Sequence, residues 1–528
     1  MNEMPAIANA NVKAADMVAV LEGNEQDAES SPNDNAAQFA ALDLGSNSFH
    51  LVTARIIDGH LQPLLRFKQR VMLANGLSKS RKLNEEAMQR GLDALRLCAD
   101  RLQGFNPEQV YVVATHTLRQ AKNADVFLAR AAEFLPFPIN IISGHEEARL
   151  IYRGVAHTSS FTGKRIVVDI GGGSTEIVAG TEFEAELVNS NSMGCVSFTE
   201  RFFRNGKLST KRFTRAKVAA RNELESAANS YRRFEAEHYL GTSGTIKAIC
   251  QWVQQREEPS CELFNREQLE RCAEELLQHK HISEFNALGM DDDRKLVLAA
   301  GLAILIAVCE ELDIKEFATH DSALREGVLY ELANRVMRNE DVRQRTVDAM
   351  VARYRIDSTQ AERVADTANE MLRATKKAWR LDSEDWLRRL SWAAWLHEVG
   401  LHINSSGIQN HSGYIVANAD MPGFSKEEQA LVAALVGNFR KKIRLDRIAQ
   451  LQLFEQRDLH RLIALLRLAV IFNTDRQPSQ LLGKVNVKND MLMLTLNEQG
   501  YSNPMLIADL TAEVRQQLKL GITLRFHG

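Results

Sequence analysis

A repeated glycine-containing turn constrains the fold of this chain more than any other feature of its sequence. Its longer copy lies in the stretch 165–180, where the β-branched run Ile166–Val168 predicts a buried strand. The chain then passes through Gly171, Gly172 and Gly173 before a second strand. Glycine permits positive φ and close backbone approach, so successive N–H groups can converge on an anion. The stretch therefore predicts a phosphate-binding hairpin, with a plain glycine-rich hairpin as the alternative.

Hydroxyl and carboxylate side chains flank these glycines. Ser174 and Thr175 add hydroxyl donors, while Asp169 and Glu176 place a carboxylate at either edge of the turn. Carboxylate oxygens beside a phosphate are the usual protein ligands of Mg²⁺. The sequence therefore predicts a site that holds a phosphate and Mg²⁺ together.

The same pattern occurs near the start of the chain, in residues 39–52. A strand again ends at an aspartate, Asp43, and the order Asp-apolar-Gly-x-x-Ser leads into the next strand. Asp43 and Asp169 are 126 residues apart, which is about the size of a small domain. A repeated phosphate hairpin predicts two similar α/β halves facing each other across a cleft. This arrangement resembles the duplicated domains of actin-like ATPases, sugar kinases and heat-shock chaperone ATPases.

Composition excludes several classes of protein. A chain of 528 residues is too long for one core, and its net charge of −3 gives no bulk attraction to nucleic acid or to an anionic membrane. The six cysteines are scattered without a C-x-x-C pair, and no charged-then-apolar leader is visible. The longest apolar stretch, 296–309, is too short to span a bilayer. We expect a cytoplasmic protein, and peripheral association with a membrane stays open.

Changes of pattern along the chain predict five segments. Residues 1–37 hold seven acids against one base and predict a disordered acidic tail. The two hairpins lie in residues 38–152 and 153–336, the predicted actin-like domains I and II. Residues 337–482 show continuous helical periodicity, and residues 483–528 alternate as a small α+β domain.

Two further candidates follow predicted strands, where side chains face a cleft. Arg119 comes after the strand 109–115, where a phosphate contact is favoured over a solvated helix position. Gly244 lies in a glycine and hydroxyl turn before a helix. A turn at this place approaches the nucleotide or its equivalent in actin-like folds, but the residues alone favour a tight turn with a helix cap.

Two adjacent carboxylates begin another predicted helix. Glu146 stands three residues after Ser143, the capping-box spacing, and is predicted to cap its own helix. Glu147 gains only a small helix-dipole term from that position. A carboxylate at a strand-to-helix corner near a phosphate could instead orient and deprotonate a water. The residues alone leave these two interpretations of Glu147 open.

Taken in order, these motifs closely resemble the exopolyphosphatase and guanosine pentaphosphate phosphatase family. The resemblance covers residues 38 to about 480 and is carried by the segments 41–50, 114–119, 142–149, 169–176 and 323–330. The versions Thr-His-Thr-Leu-Arg and Gly-Gly-Gly-Ser-Thr-Glu are more similar to those of long bacterial exopolyphosphatases. Pentaphosphate phosphatases tend to carry Thr-Ala-Thr-Leu-Arg and Gly-Gly-Ala-Ser-Thr-Glu at these places.

The resemblance implies an exopolyphosphatase that releases terminal orthophosphate from inorganic polyphosphate, processively and with Mg²⁺. Hydrolysis of guanosine pentaphosphate (pppGpp) at the same site is the alternative. Glu147 is then the catalytic base, and Asp169 and Glu176 hold the metal ion and organise the attacking water. The phosphate-binding residues expected on this basis are Asp43, Gly45, Ser46, Asn47, Ser48, Arg119, Gly171, Gly172, Gly173, Ser174, Thr175 and Gly244.

The helical segment resembles the HD hydrolase fold but departs from its metal-binding pattern. The chain has His397-Glu398 in place of His-Asp, and no histidine occupies the matching earlier helix around 363–366. A scaffold, a homodimer contact or a polyphosphate channel walled by Arg440–Arg444 is expected there instead of a hydrolytic metal centre. An actin-like kinase and a non-catalytic polyphosphate- or nucleotide-sensing scaffold remain as alternative functions.

Overall fold

The computed structural model describes residues 38–528, apart from residues 58–59, 79, 160, 258–261, 286–289, 291, 338–340, 446–447, 449–450 and 478–480. The predicted acidic tail, residues 1–37, lies outside the described residues.

The first half of the chain forms a five-stranded mixed sheet. Its strands are β1 (Gln38–Leu44), β2 (Ser48–Ile57), β3 (His60–Arg70), β4 (Val110–Ala114) and β5 (Ile139–Ile141). The strands β1, β2 and β3 form an antiparallel meander, β4 and β5 add in parallel, and the spatial order is β3-β2-β1-β4-β5. The accompanying helices are α1 (Glu85–Arg101), α2 (His116–Gln120), α3 (Ala124–Ala132) and α4 (Gly144–Thr158).

The second half repeats this order with one additional edge strand. Its strands are β6 (Lys164–Ile170), β7 (Thr175–Thr181), β8 (Glu184–Asn191), β9 (His238–Thr242), β10 (Leu263–Asn265) and β11 (Glu316–Thr319). The spatial order is β10-β11-β9-β6-β7-β8, so a meander is again followed by two parallel strands. The helices are α5 (Cys195–Phe202), α6 (Thr210–Arg233), α7 (Ser243–Arg256), α8 (Arg266–Leu276), α9 (Asp292–Leu312) and α10 (Leu324–Met337).

Helices α4 and α10 cross in direct backbone contact between the two sheets. A Cβ atom on Gly327 would lie 1.8 Å from the Leu150 carbonyl oxygen, and one on Gly154 would lie 2.5 Å from the Ala323 carbonyl oxygen. Only glycine allows such an approach. Apolar residues of both sheets, among them Val113 and Val167, share one core with these two helices. The two α/β halves are therefore packed together through α4 and α10.

The rest of the chain is mainly helical until its last segment. The helices are α11 (Val342–Arg353), α12 (Ser358–Trp379), α13 (Glu384–Leu396), α14 (Ile408–Asn418), α15 (Lys426–Gly437) and α16 (Gln456–Phe472). A three-stranded sheet follows, with β12 (Leu482–Lys488), β13 (Met491–Leu496), α17 (Glu498–Tyr501), α18 (Pro504–Lys519) and β14 (Thr523–His527). This last segment shares a single apolar core with the helices.

The sequence-based prediction of duplicated α/β halves followed by a helical domain is confirmed. The β-branched residues that predict the first strand of the second hairpin, Ile166, Val167 and Val168, are buried and lie in β6. Within the described residues, no helix is both long and apolar enough to cross a membrane.

Candidate active site

A cleft of about 420 Å³ lies where the two hairpin turns meet. The strands β1, β4, β6 and β9 all end at this edge, because parallel strands place their carboxyl ends together. The predicted residues that line the cleft are Asp43, Gly45, Ser46, Asn47, Ser48, Glu147, Asp169, Gly171, Gly172, Gly173, Ser174 and Gly244.

Three of the predicted residues lie behind this lining. Arg119 Nη1 donates to Glu147 Oε2 at 2.9 Å and to the Ile142 carbonyl oxygen at 3.0 Å. The Thr175 hydroxyl donates to the Met193 carbonyl oxygen at 2.5 Å. Glu176 is buried next to the cleft. The structure thus places Arg119 against the candidate base and uses the Thr175 hydroxyl within the turn.

The first turn is held in shape by hydrogen bonds from both of its sides. The Thr117 hydroxyl donates to Ser46 Oγ at 2.8 Å, and the Asn47 carbonyl oxygen accepts from the Val71 and Met72 N–H groups at 3.0 and 2.8 Å. A Cβ atom on Gly45 would lie 2.8 Å from the Ser48 carbonyl oxygen, which explains the glycine. The turn is therefore a rigid wall of the cleft.

The second turn is fixed by the start of helix α5. The Gly172 carbonyl oxygen accepts from the Val196 and Ser197 N–H groups at 2.9 and 3.1 Å. A Cβ atom on Gly173 would lie 2.2 Å from His116 Cδ2, in the first residue of helix α2. The glycine at this position leaves room for a ring that comes from the other half of the molecule.

The two carboxylates beside the second turn each accept a hydroxyl hydrogen bond. The Thr242 hydroxyl donates to Asp169 Oδ2 at 2.5 Å, and the Ser190 hydroxyl donates to Glu176 Oε1 at 2.8 Å. In contrast, Asp43 Oδ1 is buried and has no hydrogen-bond partner among the described residues. The site therefore contains a buried oxygen that a ligand could satisfy.

Helix α4 brings Glu147 into the cleft, but its neighbour does not cap the helix. Ser143 is the cap, and its Oγ accepts from the Glu146 N–H at 3.1 Å. The Glu146 carboxylate accepts instead from Arg149 Nε and Nη2, both at 2.8 Å, and from the Gly423 N–H at 3.0 Å. The prediction that the Glu146 side chain caps its own helix is wrong, because a guanidinium one turn on offers a charged, bidentate partner.

Burial dominates the electrostatics of the four cleft carboxylates. It is the largest cause that raises the pKa of Asp43, Glu147, Asp169 and Glu176, and the pKa of Asp43 reaches about 7. Negative neighbours add to the effect, since Glu147 and Asp169 both raise the pKa of Glu176. Arg119 opposes it at Glu147, and Arg325 opposes it at Asp43 and Asp169. Such a group of carboxylates favours a bound cation.

Family models match most of the chain. The model of the Ppx/GppA phosphatase family covers residues 52–336, and the model of its domain III covers residues 342–514. The chain belongs to the Ppx/GppA phosphatase family. It is therefore a phosphoric anhydride hydrolase, as the motifs predict.

Individual relatives agree with this assignment. A guanosine-5'-triphosphate,3'-diphosphate pyrophosphatase of Pseudoalteromonas translucida is 40% identical over 489 residues, which are 92% of this chain and 97% of the relative. A protein of the same name from Vibrio vulnificus is 37% identical over the same shares. An exopolyphosphatase structure from Cytophaga hutchinsonii has a TM-score of 0.51 and 23% identity, and covers 56% of this chain and 98% of its own. This last likeness shows the fold alone.

The cleft of this Ppx/GppA chain also contains cations that the sequence reasoning missed. Lys68, Arg70, Arg294 and Arg325 line it. Arg325 Nη1 lies 3.1 Å from His50 Nδ1, and burial followed by the Arg325 charge lowers the pKa of His50 to about 3. No local pattern marks these residues, because the fold brings them from β3, α9 and α10.

The helical domain has a separate cavity of about 630 Å³. His397 is buried with its Nδ1 2.6 Å from the Ala394 carbonyl oxygen, and Glu398 lies against Arg476 at 2.5 Å. Basic residues of the predicted cluster, Arg440, Lys441 and Lys442, line the same cavity.

Proposed function

We propose that this protein hydrolyses the terminal 5'-phosphate of guanosine pentaphosphate, with inorganic polyphosphate as a second substrate class. The observation that carries the proposal is the name shared by relatives of 37–40% identity that match 92% of this chain, guanosine-5'-triphosphate,3'-diphosphate pyrophosphatase. The sequence motifs favour an exopolyphosphatase, with hydrolysis of pppGpp as the alternative. The relatives support that alternative.

The support that the motifs give to polyphosphate as the main substrate is weaker than it looks, for a physical reason. It depended on two residues, the histidine of Thr-His-Thr-Leu-Arg and the third glycine of the second turn. Those two residues, His116 and Gly173, are in contact, and a Cβ atom on Gly173 would lie 2.2 Å from the ring. A histidine at one position therefore requires a glycine at the other. The two residues form one packing pair and count as one observation.

The cleft contains the groups that this hydrolysis needs. The proposed step begins with a water oxygen that attacks the terminal phosphorus while the bond to the bridging oxygen breaks. Orthophosphate and guanosine tetraphosphate leave, and the water proton passes to Glu147. Arg119 holds the Glu147 carboxylate at 2.9 Å, and the two glycine turns line the cleft, where their N–H groups and hydroxyls would donate to the phosphate oxygens. The cleft cations Lys68, Arg70 and Arg294 suit the second, 3'-diphosphate group.

The residues present fit the Mg²⁺ that we propose as cofactor. Mg²⁺ is usually bound by one or two protein carboxylates together with substrate phosphates and water. Across the described part of the chain, no three His, Cys, Asp or Glu side chains are grouped to hold an ion on their own. Asp169 and Glu176 would hold the ion, and the unpartnered Asp43 Oδ1 lies at the same cleft. When bound, the ion would neutralise charge on the phosphate oxygens.

Polyphosphate remains the second candidate substrate because of the basic cavity of the helical domain. Arg440, Lys441 and Lys442 lie on a turn that the buried Arg467 supports. Arg467 donates to the Lys441 carbonyl oxygen at 2.9 Å and pairs with Glu513 at 2.6 Å. A cluster of cations suits a long polyanion. We propose that this domain keeps the HD-like fold without its metal centre. We also propose that it contributes to a homodimer, and light scattering would test that oligomeric state.

The experiment is a comparison of orthophosphate release from pppGpp and from long-chain polyphosphate, both with Mg²⁺. We expect kcat/KM for pppGpp to be the higher, with guanosine tetraphosphate as the second product by ion-exchange chromatography. A higher kcat/KM for polyphosphate would reverse the proposal. Lys441→Gln with Lys442→Gln is the matched variant, and it should raise the KM for polyphosphate while leaving that for pppGpp unchanged.

A further inference from the structure

A turn of the helical domain contacts the first turn of the helix that carries the candidate base. We name residues 420–423 the docking turn. Its Gly423 N–H donates to Glu146 Oε2 at 3.0 Å, and Asp420 Oδ1 lies 3.4 Å from His145 Nδ1. Glu146 and His145 immediately precede Glu147 in helix α4. The contact therefore reaches the catalytic carboxylate through two adjacent residues.

The docking turn is itself held from its other side. The Pro422 carbonyl oxygen accepts from the Thr346 hydroxyl at 2.7 Å, and the Gly423 carbonyl oxygen accepts from Arg335 Nη2 at 3.4 Å. Gly423 has a φ of +86°, and a Cβ atom there would lie 3.0 Å from the Arg343 backbone nitrogen. The backbone of the turn thus has little freedom to shift.

The Glu146 carboxylate would be unfavourable in this position without a partner for its charge. Its side chain is 5% exposed, so its carboxylate is almost fully removed from water. Arg149 balances that charge with two hydrogen bonds and also donates to Glu331 Oε2 at 3.1 Å. A buried pair gives no guaranteed gain in stability, but it does specify one arrangement of its elements. Here the specified arrangement includes the direction in which the Glu147 side chain extends from helix α4.

We propose that Glu146 is a positioning residue through which the helical domain orients Glu147. The Gly423 N–H and the Arg149 guanidinium clamp the Glu146 carboxylate, and this clamp fixes the first turn of α4 against the cleft. The role rests on the proposed function, in which Glu147 is the base. The helical domain then acts on the rate of the chemical step as well as on stability.

The test is a double-mutant cycle on the full chain, with Glu146→Gln and Gly423→Ala. Glu146→Gln cannot accept from the Gly423 N–H and from Arg149 in the same way, because its amide presents a donor to one of them. Misplacement of a catalytic group by about 1 Å can cost 100-fold, so we expect kcat to fall about 10- to 100-fold with KM within about twofold. The double variant should lose less than the sum of the two single losses, because Glu146 and Gly423 are in direct contact and residues in contact are not additive.

The matched control breaks a different contact between the α/β halves and the helical domain. Glu184→Gln removes the exposed ion pair to Arg345 at 3.2 Å, and it should leave kcat and melting temperature unchanged. Additive losses in the cycle, an effect on KM alone, or an unchanged kcat would overturn the proposal. If Glu146→Gln does not fold, Asp420→Ala replaces it, because the Asp420 side chain is 70% exposed. A smaller loss in kcat is then expected.

The outcome is separable from the proposed function. Turnover by the native chain tests the substrate, and the ratio of variant to native rates tests Glu146 on whichever substrate is hydrolysed. If the native chain hydrolyses neither, hydrogen exchange of the amides of residues 144–148 still decides. Faster exchange in Glu146→Gln supports the clamp, and unchanged exchange overturns it.

Discussion

The two α/β halves have the same strand order, yet only the first has a glutamate, the proposed base Glu147, at the fourth position of the helix that follows its last parallel strand. Helix α4 follows β5 in the first half, and α10 follows β11, the equivalent strand, in the second. Counted from the first helical residue, Glu146 corresponds to Glu326 and Glu147 corresponds to Gly327.

The physical reason for this difference is the crossing of the two helices. A side chain on Gly327 would collide with the Leu150 carbonyl oxygen, at 1.8 Å from its Cβ. Glu326 accepts from the Ala323 N–H at 3.0 Å, the local capping contact that Glu146 gives up for Arg149 and Gly423. The two equivalent helices thus pack so that only one of the two equivalent positions has room for a side chain.

The turns differ in a parallel way. Asp169 lies opposite Thr242 in the register of β6 and β9, whereas Asp43 lies opposite Val113 in β1 and β4. Threonine donates a hydrogen bond to its carboxylate and valine cannot. This pairing explains why Asp43, unlike Asp169, has a buried oxygen without a hydrogen-bond partner among the described residues.

The strongest test of the asymmetry is Glu147→Gln. Losing a general base typically costs about 10²- to 10⁴-fold in rate, so orthophosphate release should fall by that factor. The melting temperature should stay close to that of the native chain. Glu86→Gln, on the exposed face of α1, is the control. Near-native orthophosphate release by Glu147→Gln would contradict its role as the base and make Glu176 the next candidate.

The helix crossing is tested by Gly327→Ala. The added methyl group has no space, and overpacking should lower the free energy of unfolding by about 3 kcal/mol. Gly437→Ala at the end of α15 is the control, because its Cβ would meet nothing closer than 3.8 Å. Urea unfolding of both variants measures the difference, and equal stabilities would contradict the backbone crossing.

The unpaired oxygen of Asp43 predicts a pH dependence of stability. Burial raises the folded-state pKa to about 7 from 3.8, so the folded chain keeps a proton that the unfolded chain releases above about pH 4. Stability from this group is present below pH 4 and is lost as the pH rises towards 7. In EDTA, the native chain should lose about 2 kcal/mol more than Asp43→Asn between pH 5 and pH 8.

Val113→Thr sharpens this result. It would give Asp43 the donor that Thr242 gives Asp169, and the loss of stability between pH 5 and pH 8 should become smaller. Parallel pH curves for Val113→Thr and the native chain would show that the difference in register has no electrostatic effect.

The smallest expected effect is on metal affinity. Thr242→Val removes the hydroxyl that orients Asp169, and loss of such an outer contact typically lowers metal affinity about tenfold or more. The Mg²⁺ concentration for half-maximal activity should rise accordingly. An unchanged Mg²⁺ requirement would place the ion away from Asp169.

Local patterns predicted what depends on a few neighbouring residues. The β-branched run before Asp169, the glycines after it and the repeat at Asp43 each lie within one hairpin, and the structure has both hairpins. The position of Glu147 was predictable in the same way, because it follows a short strand and begins a helix. The local pattern predicts Arg119 only as a phosphate ligand, since nothing in it shows that the guanidinium reaches the Glu147 carboxylate.

The sequence by itself determined the two hairpins, the duplicated α/β halves, the helical domain and the family. These follow from short periodic patterns and from motifs whose order the chain preserves. Only the tertiary structure decided that Lys68, Arg70 and Arg294 share a cleft with the carboxylates, that Glu146 turns away from its own helix end, and that Gly423 reaches it. Gly423 is 277 residues from Glu146, and no local pattern encodes a contact that packing between separate elements creates.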